Sequence, residues 1–310
     1  MNQVKNTLKN PTKRQRDIAF VALMLSLPIL QFIVFWIVPN FNSILMAFRN
    51  PSTEGFTLIN FKRFWNLLRE ENSPVMPSIT NTVILFFCTN FVNLPIVMFL
   101  SYVLFKKVPG YKLFRVIFYL PSILGSSVTA ALYRYVVSKD GPVEFVLDWL
   151  GVEYSKQLGL LGNPETTFLM IVIYCLWTGV GVNMIMLNGA MARIPEEIFE
   201  SSKIDGVGFW REFFQIVCPL IWPTVTTLLV FGMSGIFTSY GATMLLAPNT
   251  PEASTVGWYI VRFTASAGTG VTHEVLNYPA AVGLVFTVVG LPLVLGTKWL
   301  CEKVAQNVEY

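Results

Sequence analysis

Residues 194–219 read IPEEIFESSKIDGVGFWREFFQIVCP, a polar stretch set between two long apolar runs. Pro195 suits a first helical position, where a missing N–H costs nothing, and Glu196 and Glu197 follow where negative charge favours the helix dipole. A helix is therefore expected to start there and run to Asp205-Gly206, where Gly206 can adopt a positive φ and close it. A second helix from Phe209 leads into Pro219 and the next apolar run. The stretch reads as helix, glycine corner, helix. So long an amphipathic segment between neighbouring apolar runs is expected where another protein reads it.

The surrounding composition settles the class. Hydrophobic residues make up 54% of the chain and charged residues 13%, about half the roughly 25% charge of a soluble domain. Apolar stretches at Ile18–Val38, Ile79–Phe105, Leu113–Val137, Phe168–Ala190, Leu220–Ala242 and Ala280–Leu300 each reach the ~20 residues that cross a bilayer as a helix. The fold class is an all-α membrane protein of six transmembrane helices, with the 194–219 loop between spans four and five. One membrane domain, 18–310, follows a basic tail, 1–17.

Charge gives the orientation. With the N-terminus inside, one side collects Lys5, Lys9, Lys13, Arg14, Arg16, Lys106, Lys107, Lys112, Arg115, Arg193, Lys203, Arg211, Lys298 and Lys303, and the other keeps the remaining eight of the 22 Lys and Arg. This agrees with the positive-inside rule and places both termini and the 194–219 loop in the cytoplasm. The net charge of +4 is then topological, and no nucleic-acid partner is implied. The first apolar run exceeds the ~7–15 residues of a signal-peptide core, and no Ala-x-Ala cleavage site follows, so it reads as an uncleaved span. Cys88, Cys175, Cys218 and Cys301 show no CxxC spacing, so neither a disulfide frame nor a zinc site is indicated.

Three loops on the outer side, about Pro39–Ser78, Ser138–Thr167 and Thr243–Pro279, are long enough for structure of their own. Phe61, Phe64, Trp65 and Leu68 repeat at helical spacing, as do Val143, Val146, Leu147 and Leu150. Two short amphipathic helices are expected at the outer interface, resting on lipid or meeting an external partner.

The motifs for chemistry are mostly missing. No Gly-x-x-x-x-Gly-Lys-Ser/Thr occurs, so nucleotide energy must come from another subunit. Away from the span ends, where Arg115 and Arg134 can snorkel, the apolar cores carry no Asp, Glu, Lys, Arg or His, which disfavours an ion-coupled secondary transporter. Gly232-Met233-Ser234-Gly235 matches the GxSG nucleophile signature of rhomboid intramembrane proteases. A serine nucleophile needs a base within hydrogen-bond reach, and the single histidine, His273, falls in an outer loop. That enzyme reading is the weaker alternative.

Glu200-Ser201-Ser202, Asp205-Gly206, Phe213-Phe214 and Ile216-Val217-Cys218-Pro219 keep the spacing of a known pattern: Glu-Ala-Ala, three residues, Gly, then a spacer ending in Ile-x-x-Pro. The segment closely resembles the coupling loop of bacterial ABC-importer permeases, with serines in place of both alanines. Weaker similarity to the sugar-type permeases (maltose, glycerol-phosphate and oligosaccharide importers) runs through Asn81-Thr82, Phe118–Val137 and Trp177–Asn183. The resemblance implies a transport subunit, not an enzyme, in a bacterial cell membrane. It also implies a second permease, a pair of ATPase subunits holding ATP and Mg, an extracytoplasmic solute-binding protein and a sugar substrate. No cofactor is expected in this chain. Glu197, Glu200, Ser201, Ser202, Asp205 and Gly206 would meet the ATPase.

A sugar pathway needs hydroxyl-bonding and ring-stacking side chains. Phe231, Ser234, Gly235 and Thr238 fall on one helical stripe in span five, beside Phe237, and Cys175, Thr178, Gly179 and Val182 form another in span four, flanked by Trp177 and Asn183. By similarity to the maltose permease, these stripes match the lining of its sugar site, though this chain carries fewer asparagines there. Cys175, Thr178, Gly179, Asn183, Ser234, Phe237 and Thr238 are the pathway candidates. The same residue types also serve helix–helix packing.

Overall fold

The computed structural model describes residues 13–50, 55–151, 159–266 and 273–305. Among them the elements are helical, apart from a single bridge between Arg49 and Phe56. Five helices are long and apolar enough to cross a membrane: Lys13–Ala47, Val75–Phe105, Pro164–Met191, Phe209–Ser234 and Leu276–Val304. Their outer surfaces carry Leu, Ile, Val and Phe at high exposure, the pattern of a chain whose solvent is lipid.

Between the second and fourth spans lies the first departure from expectation. The stretch read as one helix over Leu113–Val137 is a pair, Tyr111–Ile123 and Ser126–Val136, bent by 109°. Pro121 removes a helical donor in the last turn of the first arm. Leu124 and Gly125 then turn extended, with ψ 144° and 142°, and the helix cannot continue through them. Neither arm alone has the ~20 residues of a straight span, so the sixth crossing exists only if the bent pair is counted as one.

The fifth span is shifted as well. It starts at Phe209 rather than Leu220 and ends at Ser234, where Gly235 leads into a short 3₁₀ turn, Ile236–Thr238, and a separate helix, Gly241–Leu246. The first helix begins at Lys13, so the described part of the basic tail is already helical; Lys5 and Lys9 lie outside the described residues.

The two short amphipathic helices form where the periodicity places them. Ile59–Arg69 turns Phe64 inward, where its ring meets Phe286 of the sixth span edge-on at 5.8 Å between centroids, and leaves Trp65 exposed. Pro142–Trp149 sets Val143 and Leu147 against the core while Val146 and Leu150 stay exposed, so only half of that expected stripe faces inward. Asn81 donates to the carbonyls of Glu252 and Ser254, at 2.6 and 2.9 Å, and the Thr82 hydroxyl accepts the Val256 N–H at 2.8 Å. These bonds tie the start of the second span to the segment that precedes helix Val256–Ser266. Burial raises the Tyr259 phenol above its usual pKa, the shared hydrogen bond with Tyr278 at 2.8 Å notwithstanding.

Apolar side chains of the second, fourth and fifth spans meet in one cluster around Tyr102, Leu104, Met184, Leu187, Met191, Val217 and Ile221. The cluster also takes in Phe199 and Phe213 of the 194–219 loop. The loop is therefore seated on the bundle.

Candidate functional site

Two sites stand out along the second span: the 194–219 loop at its C-terminal end and a cavity further along it, among the spans.

The loop forms as its residues dictate. Its helix is Glu196–Ile204, with Pro195 one position earlier than expected, in the capping place with ψ 140°, and both Glu196 and Glu197 in the first turn. Gly206 sits at φ 68°. Its N–H donates to the Lys203 carbonyl and that of Val207 to Ser202, at 3.1 and 2.9 Å, the double bond of a glycine-terminated helix. The next helix starts at Phe209, where the fifth span begins, and runs on through a π-helical turn, Phe213–Val217.

Of the residues expected to meet the ATPase, Glu197, Glu200, Ser201, Asp205 and Gly206 are exposed. Glu200 makes no ion pair with Lys203 among the described residues. Ser202 differs: it is 3% exposed, with its hydroxyl bonded to the Phe199 carbonyl at 2.9 Å, so it packs inside this chain rather than at its surface. Phe199 likewise points inward, its ring 5.5 Å from Phe105, whereas Ile204 is 86% exposed.

Beneath this helix lies a charged pair that loop spacing alone gives no sign of. Lys106, just past the second span, pairs with Glu212, which is 4% exposed and also accepts the Tyr102 hydroxyl at 3.0 Å. The Lys106 ammonium also lies over the rings of Phe199 and Tyr102, at 4.9 and 5.6 Å.

The cavity, about 350 Å³, lies among the second, fourth and fifth spans. Cys175, Gly179 and Asn183 line it as expected. The remaining candidates do not line it. Ser234, Phe237 and Thr238 face a separate groove beside the sixth span, together with Gly283 and Gly290, and Thr178 and Thr238, with Cys175 again, line a third hollow near Tyr240. The helical stripe through Thr238 fails because the fifth span ends at Ser234. Both hydroxyls are already used within their own turns: Ser234 donates to Phe231 at 2.8 Å and Thr178 to Tyr174 at 2.9 Å. Ser234 of the GxSG sequence therefore closes a helix, and among the described residues no histidine lines its groove. His273 begins the sixth helix rather than lying in a loop, and its side chain lies outside the described residues.

What the stripes missed comes from the second span. A π-helical turn, Cys88–Val92, interrupts it, and Thr89, Asn90 and Asn93 line the cavity around that turn. Asn90 donates to the Phe86 carbonyl at 3.0 Å. Asn93, 3% exposed, and Asn183 make no side-chain hydrogen bond among the described residues, which leaves two amides to bond a guest. The available signal was the pair Asn90 and Asn93 inside an apolar run, since buried amides are costly unless something bonds them. Phe86 and Phe231 add ring faces, and among the described residues none that lines the cavity is Asp, Glu, Lys, Arg or His.

Residues 73–309 match the family described as binding-protein-dependent transport system inner membrane component. The arabinooligosaccharides transport system permease protein of Halalkalibacterium halodurans is 25% identical over 272 residues, which cover 84% of this chain and 81% of that protein. The lactose transport system permease protein of Rhizobium radiobacter is 27% identical over 293 residues, covering 84% and 94% respectively. Among solved structures, a chain of a bacterial ABC transporter involved in the import of the acidic polysaccharide alginate superposes with a TM-score of 0.78 at 25% identity, covering 93% of this chain and 96% of that one.

Proposed function

The chain belongs to the family of binding-protein-dependent transport system inner membrane components, and from that premise we propose that it forms half of the translocation pathway of an ATP-driven importer for a neutral oligosaccharide. It is a multi-pass membrane transport subunit of the ABC permease type, not an enzyme. In this reading ATP and Mg are held by a pair of separate ATPase subunits, a second permease completes the pathway, and an extracytoplasmic binding protein delivers the sugar. Both termini and the 194–219 loop lie in the cytoplasm.

The cavity carries the substrate assignment. Amides and hydroxyls bond sugar hydroxyls in either direction, and ring faces stack on their C–H surfaces. An uncharged lining offers no counter-ion to a carboxylate, which would be desolvated without a partner. The arabinooligosaccharide and lactose systems of the relatives move neutral sugars by name, and that class fits this lining better than the acidic polysaccharide named for the structural relative.

ATP closes the ATPase subunits, and the closure moves the Glu200 helix and rocks the spans between inward- and outward-open arrangements. The free energy of a remote nucleotide reaches the cavity only through that contact. The test is uptake of labelled lactose and arabinotriose into vesicles holding the complete complex. Uptake should persist with proton and sodium uncouplers and stop when the ATPase is inactivated. Uptake that collapses with the ion gradients would replace this reading with a secondary transporter.

A further inference from the structure

We propose that Lys106 and Glu212 form the joint that fastens the coupling loop to the second span, so that ATPase movement reaches the cavity along that span. The inference rests on the proposed function above and specifies its transmission route.

The loop helix, Glu196–Ile204, buries only Phe199 and Ser202. Phe199 is seated on the end of the second span, against Phe105 and under the Lys106 ammonium at 4.9 Å. The helix on the far side of the glycine corner returns to the same place. Its Glu212 pairs with Lys106 and accepts the Tyr102 hydroxyl at 3.0 Å, and the rings of Phe209 and Phe213 stand 4.9 and 5.1 Å from that of Tyr102. Both arms of the loop thus grip one short segment, Tyr102–Lys106. Arg211, the neighbouring cation, is engaged with Gln215 at 2.8 Å and does not compete.

The gripped span is also the one that brings Asn90 and Asn93 to the cavity. From Asn93 to Lys106 the helix runs about 20 Å at ~1.5 Å per residue. Breaking a buried pair on one side leaves an uncompensated charge, whereas replacing both charges by apolar groups keeps the packing. An ionic joint is therefore testable apart from folding.

The experiment uses the full complex with its ATPase and binding protein in vesicles, with labelled lactose and arabinotriose as probes, and reads sugar taken up per ATP hydrolysed. Glu212→Gln and Lys106→Met should assemble and hydrolyse ATP, yet lose tenfold or more in that ratio. The exchanged pair, Lys106→Glu with Glu212→Lys, should recover at least half of the loss on a logarithmic scale. Should the single variants fail to assemble, Lys106→Met with Glu212→Leu removes both charges and should assemble but remain uncoupled. A ratio within twofold of wild type in the assembled variants, or an exchanged pair no better than the singles, would overturn the joint alone. Absence of ATP-dependent uptake by the wild-type complex would overturn the functional reading and the joint with it.

Discussion

Gly232 of the fifth span lies so close to Asn90 of the second that a β-carbon on the glycine would sit 1.9 Å from the amide oxygen. Asn90 is held there by its bond to the Phe86 carbonyl, so the contact fixes the separation of two spans at the cavity wall. Gly232→Ala must push the amide off that bond or part the helices, at a cost of about 1–3 kcal/mol for overpacking. The variant should unfold at a lower temperature in detergent, and adding Asn90→Ala should restore part of the loss. A double variant no more stable than Gly232→Ala would show that the clash is absorbed elsewhere.

The free amides should matter more than the hydroxyl that looked like a nucleophile. One lost hydrogen bond is worth about 1 kcal/mol, so Asn93→Ala and Asn183→Ala should each raise the half-saturating sugar concentration about fivefold. Ser234→Ala should stay within about twofold, because its hydroxyl is bonded to Phe231 and faces another groove. Uptake titrations on all three variants rank them directly, and a larger effect at Ser234 would move the pathway to the groove beside the sixth span.

At Gly206 the obstacle is backbone conformation rather than crowding, since an added β-carbon meets nothing within 4 Å while φ is 68°. A left-handed residue costs roughly 1–2 kcal/mol when it is not glycine, least for Asn and most for a β-branched side chain. Gly206→Asn should keep ATPase binding, and Gly206→Val should release or uncouple the ATPase while the protein stays in the membrane. Pull-down of the ATPase from both variants separates the two outcomes; equal recovery with normal uptake would remove the corner from the mechanism.

Glu200 and Ile204 are among the exposed residues of the loop helix. A partly desolvated pair between subunits that loses one partner typically costs ~2–5 kcal/mol, so Glu200→Ala should weaken ATPase association tenfold or more, with a charge-reversed ATPase partly rescuing Glu200→Lys. Phe199→Ala should act differently, lowering the stability of this chain by about 3–5 kcal/mol, as core Phe truncations do. Association in detergent and thermal unfolding, measured on the same variants, tell the two apart. Unchanged affinity in Glu200→Ala would leave docking to shape and to Ile204.

The loop between spans four and five was legible because its signals are local. Pro195, two glutamates and Gly206 act through the backbone within one or two turns, and the helix bounds moved by a single residue. The pathway stripes were less legible, because helical periodicity assumes an unbroken helix. Gly235 ends the fifth span and Leu124-Gly125 folds the third stretch back, and apolar content does not register either break.

What the sequence by itself determined is the solvent and the local turns: continuous apolar runs of ~20 residues that must satisfy their own backbone in lipid have to be helical, and a glycine at a helix end can close it. What only the tertiary structure decided is which polar groups meet. Asn90 against Gly232, Asn93 beside Gly179, and Lys106 on Glu212 join positions more than 80 residues apart in the chain. Such pairings depend on how the helices bend and rotate against one another, a balance of packing over the whole bundle that no local pattern encodes.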